Sequence, residues 1–181
     1  MKLGMAMLMG FAAVPAAVAA PPLIAHDRVA ADPELLNNAN PAGFQVYGAG
    51  AAPRSIADET VEGGRALPVT VSGNGTPFAV GVNVPLTKPV RAGDAITIYY
   101  WAKLAAGGPE TAPITAQLQL SAAPYTRIFG EGATIGREWK LFKISGTAAS
   151  AYPRGTLTAA FHINTGAQTV VMGPVAVFAE R

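Results

Sequence analysis

The run Gly93-Asp94-Ala95-Ile96-Thr97-Ile98-Tyr99-Tyr100-Trp101-Ala102-Lys103 alternates without a break. Ile96, Ile98, Tyr100 and Ala102 fall on one side, and Thr97, Tyr99, Trp101 and Lys103 on the other. Successive side chains of a β-strand point to opposite faces of its sheet. The run is therefore a strand with one apolar face, while the other face carries two aromatic rings, a hydroxyl and an ammonium. A sheet that merely faced water would show small polar and charged residues there. An outer face of aromatic and polar groups suits the grip of a sugar or another flat amphipathic ligand.

The same rhythm recurs down the chain. Ala66 to Val71 puts Leu67, Val69 and Val71 on one face, and Phe78, Val80, Val82 and Val84 alternate with small residues. Between these runs lies Ser72-Gly73-Asn74-Gly75-Thr76, and Asn-Gly is a strong hairpin signal because both residues tolerate positive φ. Asn74 to Thr76 also fits a glycosylation acceptor, but a turn accounts for it. Ile114, Ala116, Leu118 and Leu120 alternate with Thr115, Gln117, Gln119 and Ser121. Leu157, Ala159, Phe161 and Ile163 alternate with Thr158, Ala160, His162 and Asn164. Phe44 to Tyr47, Trp139 to Ser145 and Thr169 to Phe178 are further strands, whereas the stretch after Ser121 reads as a loop. Past the leader, no window holds a helical period. The expectation is an all-β chain of roughly eight or nine antiparallel strands in a jelly-roll sandwich, and 181 residues suit a single domain.

Charged residues are 13% of the chain and the formal net charge is +2, so the basic patch that nucleic-acid binding needs is missing. There are no cysteines, which excludes disulfide scaffolds and thiolate metal sites. Residues 1–20 read as a secretory signal peptide. Lys2 forms a minimal positive region, Leu3 to Val14 is apolar, and Ala17-Val18-Ala19 offers a cleavage site. The apolar run is short for a membrane span. The mature protein is expected in the periplasm or outside the cell, not inserted in the membrane. Residues 21–34, with Pro21-Pro22 and Asp32-Pro33, read as an extended lead-in, and residues 35–181 as the sandwich domain.

Chemistry that would mark an enzyme is sparse. His26 lies in the lead-in and His162 on a strand, so a two-histidine metal site would have to recruit the lead-in. The carboxylates are scattered over predicted loops, whereas a glycosidase needs two of them roughly 5–10 Å apart. There is no Gly-x-Ser-x-Gly elbow, phosphate-cradling glycine loop or dinucleotide fingerprint. Gln117, Gln119, His162 and Tyr99 can be imagined on the concave sheet of a small polysaccharide lyase, but the local motifs of those lyases are missing. A non-enzymatic module is the expectation.

The candidate ligand-binding residues follow from strand parity: Tyr99, Trp101, Lys103, Gln117, Gln119, His162 and Asn164. Trp101 fits a stacking platform for a pyranose and equally fits packing against a second layer, and Tyr99 and Lys103 share both readings. Gln117 and Gln119 are two amides at i and i+2, each able to donate and accept; a solvated outer face is the alternative. Trp139 reads as structural. Tyr125 and Phe129 either wall one end of a groove or pack at the core edge.

Several segments together resemble the jelly-roll carbohydrate-binding modules of families 4, 9 and 22, which are galactose-binding-like β-sandwiches. They are Gly63-Gly64-Arg65-Ala66-Leu67-Pro68-Val69, Val90 to Ile96 leading into Tyr100-Trp101-Ala102-Lys103, Glu138-Trp139-Lys140-Leu141-Phe142, and Val171-Met172-Gly173-Pro174-Val175-Ala176-Val177. The resemblance spans roughly Leu35 to Phe178. It implies a concave sheet that binds β-glycans by aromatic stacking and side-chain hydrogen bonds, and in many members a structural calcium. This chain has Gln45 and Gly173-Pro174 where acids are common in the family. Calcium prefers charged oxygen ligands, so no calcium site of the usual kind and no cofactor is expected. Such modules are usually appended to a glycosidase, for which this chain has no room. A lone module with a carbohydrate ligand is expected, and the alternative is a cell-envelope sandwich with a protein partner and no sugar affinity.

Overall fold

The computed structural model describes residues 32–180. The expected signal peptide, most of the lead-in and His26 lie outside the described residues. Eleven strands follow in order, with two short 3₁₀ turns at Pro41–Gly43 and Glu62–Gly64: β1 (Glu34–Leu35), β2 (Gln45–Tyr47), β3 (Ile56–Ala57), β4 (Arg65–Ser72), β5 (Gly81–Pro85), β6 (Ala95–Leu104), β7 (Thr111–Leu120), β8 (Arg127–Gly136), β9 (Lys140–Thr147), β10 (Leu157–His162) and β11 (Ala167–Glu180). They form two antiparallel sheets. The six-stranded sheet runs β3-β4-β11-β6-β9 with β1 also on β11, and the five-stranded sheet runs β2-β5-β10-β7-β8. The chain is an all-β sandwich, as the alternation implies.

The core lies between the layers. Val69, Ile96, Ile98, Tyr100, Ala102 and Val177 of the larger sheet face Val82, Ile114, Ala116, Leu118, Ala159 and Phe161 of the smaller, all fully buried. β-Branched and aromatic residues dominate because they pack well on a pleated, half-buried surface. Tyr100 joins the sheets: its ring stacks on Phe142 of β9 at 5.1 Å and meets Phe161 of β10 edge-on at 4.9 Å. β11 carries the larger sheet, pairing with β4, β6 and β1 along its length. Its register shifts between Met172 and Val175, where Pro174 has no N–H to give the ladder.

Three details differ from the expectation. β8 is a full strand, paired with β7 from Arg127↔Gln119 to Gly136↔Thr111, although its sequence, Arg-Ile-Phe-Gly-Glu-Gly-Ala-Thr-Ile-Gly, reads as a loop. As the outer strand of its sheet it is half-exposed along most of its length, so burial imposes no alternation. The Asn74-Gly75 turn does not make a hairpin, because β4 and β5 belong to different sheets. The segment crosses from one layer to the other, and β5 begins only at Gly81, leaving Phe78 in the crossing loop. At the N-terminus, Glu34, the last residue of the expected lead-in, already pairs with Ala179.

The Tyr100 hydroxyl is buried without a hydrogen-bond partner. Burial, with the Glu131 carboxylate adding to it, pushes its pKa up to about 12. A buried hydroxyl without a protein partner contributes desolvation cost and no protein bond. Tyr100→Phe is therefore expected to leave stability unchanged or raise it by up to about 1 kcal/mol in urea titration; a loss larger than that would show the hydroxyl to be paired.

Candidate functional site

Strand parity places six of the seven candidates on outer faces, Asn164 being the exception, but the sandwich has two such faces and they point in opposite directions. Tyr99, Trp101 and Lys103 stand on β6 in the six-stranded sheet. Gln117, Gln119 and His162 stand on β7 and β10 in the five-stranded sheet. The two sets cannot touch one ligand, and the lyase constellation fails for the same reason, since Tyr99 is on the far side from Gln117, Gln119 and His162. Periodicity reports which side of a strand is buried, not which sheet the strand joins.

On the six-stranded sheet the polar atoms are already engaged. Trp101 Nε1 donates to Glu62 Oε2 at 3.2 Å, and Trp139 Nε1 donates to Thr60 Oγ1 at 3.2 Å. Lys103 Nζ pairs with Asp58 Oδ2 at 3.4 Å and sits 4.5 Å above the Trp139 ring. Thr60 in turn hydrogen-bonds Asp58 through its hydroxyl and its backbone N–H. The Thr60 hydroxyl is the largest influence holding the Asp58 carboxyl below its usual range, with Lys103 adding to it. Both indoles and the ammonium thus pin the Asp58–Gly64 loop to the sheet. Gly173 makes the close approach feasible: a Cβ there would lie 2.7 Å from Trp101 Cβ and 2.9 Å from Val61 Cγ2. Trp139, just ahead of β9, has the structural role expected of it. Asn164 is 2% exposed, and its amide is consumed inside the protein. Its oxygen accepts from Gly73 N–H at 3.0 Å, and its nitrogen donates to the carbonyls of Asn74 and Thr76. It clamps the crossing loop and is not part of an open site.

The outer face of the five-stranded sheet forms a groove of about 740 Å³. Register lays out its floor: Gln45, Asn83, Ala160, Gln117 and Gly130 lie on one line across the five strands. Tyr47, Gly81, His162 and Thr115 lie on the next line, and Pro85, Thr158, Gln119 and Arg127 on the line beyond. Small residues at Gly81, Ala160 and Gly130 keep the floor low, and a side chain at position 81 would collide with the Tyr47 hydroxyl that crosses it. The Gln117 amide nitrogen donates to the Gln119 amide oxygen. That ordering leaves the Gln117 oxygen and the Gln119 nitrogen without a protein partner in the groove. Asn83 Oδ1 is buried and also unpartnered. Asn83 escapes sequence reasoning because it sits among valines in an unremarkable run; the signal was its parity, opposite to Val82 and Val84.

Aromatic rings rise around this floor. Phe78 is 60% exposed and meets the His162 ring edge-on at 6.2 Å. Tyr125 is 56% exposed and has φ 54°, the one non-glycine residue with positive φ among the described residues. A bulky residue in that region is strained, and here the strain presents a ring to the groove. Burial pushes the Tyr47 hydroxyl up, with Tyr125 adding to it. Phe129, the other half of the open reading, packs instead against the core and over Gly146 of β9. Among the groove-lining residues there is no carboxylate, and among the described residues no group of three or more His, Asp or Glu side chains is placed to hold a metal ion.

No protein-family model matches the sequence, and no curated protein matches it significantly. Solved structures do share the fold. A carbohydrate-binding module of family 4 is 22% identical and covers 77% of this chain and 96% of its own, with a TM-score of 0.60. The CBM22-1 xylan-binding domain of Paenibacillus barcinonensis Xyn10C is 13% identical over 81% of this chain and 92% of its own, with a TM-score of 0.57. The N-terminal cellulose-binding domain of Cellulomonas fimi β-1,4-glucanase C is 21% identical over 78% of this chain and 91% of its own, also at 0.57. The chain has the jelly-roll sandwich of the carbohydrate-binding modules.

Two outcomes test the placements. Trp101→Ala should lower Tm by several degrees, about 1–2 kcal/mol, because it releases the Asp58–Gly64 loop; an unchanged Tm would mean that the indole anchors nothing. Burial holds the His162 pKa below 6.5, so the unfolded chain binds the proton more readily. Stability is fully present above the unfolded value of about 6.5 and falls as pH drops through it and on through the lower folded pKa. In His162→Gln that part of the acid sensitivity should vanish from a pH series of denaturant titrations.

Proposed function

We propose that this chain is a non-catalytic carbohydrate-binding module, and that its ligand lies in the groove on the five-stranded sheet. The observation that carries the reading is the set of amides in the groove, Gln117 and Gln119 bonded to each other through only one donor and one acceptor and Asn83 with an unpartnered oxygen, beside the exposed rings of Phe78 and Tyr125. Amides match the mixed donor and acceptor character of sugar hydroxyls. Aromatic rings cover the apolar face of a pyranose, removing area at about 25 cal/mol per Å². Similarity of fold to sugar-binding modules supports the same reading. So does the lack of a carboxylate pair in the groove, which hydrolysis of a glycosidic bond requires. Of the seven residues derived from strand parity, Gln117, Gln119 and His162 keep the ligand-binding role in this proposal; Asn83, Phe78, Tyr47 and Tyr125 join them. The leader-like run at residues 1–20 of the sequence supports a location in the periplasm or outside the cell.

Calorimetric titration in solution with soluble oligosaccharides, chosen from a glycan array, tests the site. Gln117→Leu and Tyr125→Ala should each weaken binding by about tenfold or more. Asn83→Leu should weaken it similarly while leaving Tm unchanged or higher, because it removes an unpaired buried acceptor. Trp101→Ala should retain wild-type affinity. If Trp101→Ala loses the ligand while the groove variants keep it, the site is on the wrong sheet. Silence of the wild type toward every glycan would favour a protein partner in the cell envelope.

A further inference from the structure

The outer face of the six-stranded sheet holds a second groove of about 490 Å³, lined by Tyr99, Trp101, Leu141, Pro174, Ala176 and Phe178, with Glu62 at its rim. Tyr99 and Phe178 meet edge-on at 6.2 Å, and Leu141 is 45% exposed. A sugar finds little to bond there, because the indole N–H and the Lys103 ammonium are taken up by Glu62 and Asp58. What is left is mostly apolar, with the Tyr99 hydroxyl and Asn40 as its remaining polar groups. Two charges flank it. Glu62 stands beside Trp101 on one side, and Lys143, opposite Tyr99 on β9, stands on the other. Neither forms an ion pair among the described residues, and Lys143 only caps the Tyr99 ring at 5.7 Å. Of the other charges on this sheet, Lys103 pairs with Asp58 and Glu34 with Lys88, Arg65 bonds Ser55, Lys140 sits over Phe142, and Glu180 lies at the far end against Ala95.

We propose that this face docks a second copy of the chain across a two-fold axis. An axis lying in the face and bisecting the line from Glu62 to Lys143 brings each acid onto the lysine of the other copy and closes the aromatic stripes against each other. That self-complementarity is what an isologous interface demands, and a patch flanked by one acid and one base meets it without any other protein. The β11-β6-β9 strip measures roughly 15 by 30 Å from strand spacing and rise, on the order of 450 Å². That is less than the roughly 800 Å² per partner of a standard interface, so the dimer is weak and concentration-dependent. The proposal does not depend on sugar binding. It has a consequence for it, however: the two grooves of the five-stranded sheets would face outward on opposite sides of the dimer, so the dimer would bridge two ligand molecules and not grip one.

Sedimentation equilibrium of the protein at loadings from about 1 µM to about 1 mM decides it. The wild type should pass from monomer to dimer over that range. Glu62→Lys and Lys143→Glu should each weaken association by about tenfold or more, Leu141→Ser should do the same, and the double exchange of Glu62→Lys with Lys143→Glu should restore it. Thermal melts of each variant confirm that it is folded. A wild type that stays monomeric throughout overturns the proposal, as do single variants that dimerise normally. Failure of the double exchange to rescue overturns the two-fold arrangement, and dissociation by a soluble oligosaccharide would assign this face to sugar instead.

Discussion

Everything in this molecule is arranged around the contact of Tyr100 with Phe161 and Phe142 between the two sheets. These are the largest rings in the core, each supplied by a different strand, and they set how β6 and β9 of one layer sit over β10 of the other. Once Tyr100 points inward, β6 has no freedom left: Tyr99 and Trp101 must point outward, because a strand reverses direction at every residue. The same holds for Phe161, which sends Ala160 and His162 to the outside of the smaller sheet. A one-residue slip in either strand would expose the ring and bury a histidine or an indole. The core contact therefore decides which residues reach each outer surface.

That constraint explains what could be read in the sequence. Parity within one strand is local, and β6, β7 and β10 carry it cleanly, so the inward residues of all three were legible. Sheet membership is not local. β6 and β7 follow each other along the chain yet lie in different layers, and nothing in Leu104 to Pro113 marks the crossing. The Asn74-Gly75 turn illustrates the same limit from the other side: the dipeptide does sit in a turn region, but Asn164, two residues past β10, holds that segment, a contact 90 residues away in the chain. β8 was invisible for another reason. A strand half-exposed on both faces has no burial pattern to display, and of its glycines Gly130 alone marks a close approach, since a side chain there would strike Gln117.

The two outer faces then differ in one physical respect that composition does not reveal. Both carry aromatic rings and polar groups. On the larger sheet the polar groups face partners in the Asp58–Gly64 loop, so the indoles act as anchors and the remaining surface is mostly apolar. On the smaller sheet the amides have no such loop above them. Gln117 and Gln119 satisfy half of each other, and Asn83 is left over. Residue type alone put Trp101 at the head of the binding candidates; in the structure its indole N–H is engaged by Glu62, while Asn83 Oδ1 has no partner.

An unpartnered amide oxygen shielded from water costs on the order of 1–3 kcal/mol, a large sum against a total stability of about 5–15 kcal/mol. A valine or leucine at position 83 would pack between its neighbours without that cost. What the amide provides is a demand: only a donor can satisfy it, and the donor must arrive from the groove. Asn83 and Gln117 lie two strands apart on one line, about 10 Å between backbones, with the methyl of Ala160 between them. Both lie on the outer face of the sheet and line the same groove. The energetic defect in the free protein and the geometry of the groove thus point to the same kind of occupant, and neither depends on the likeness of fold.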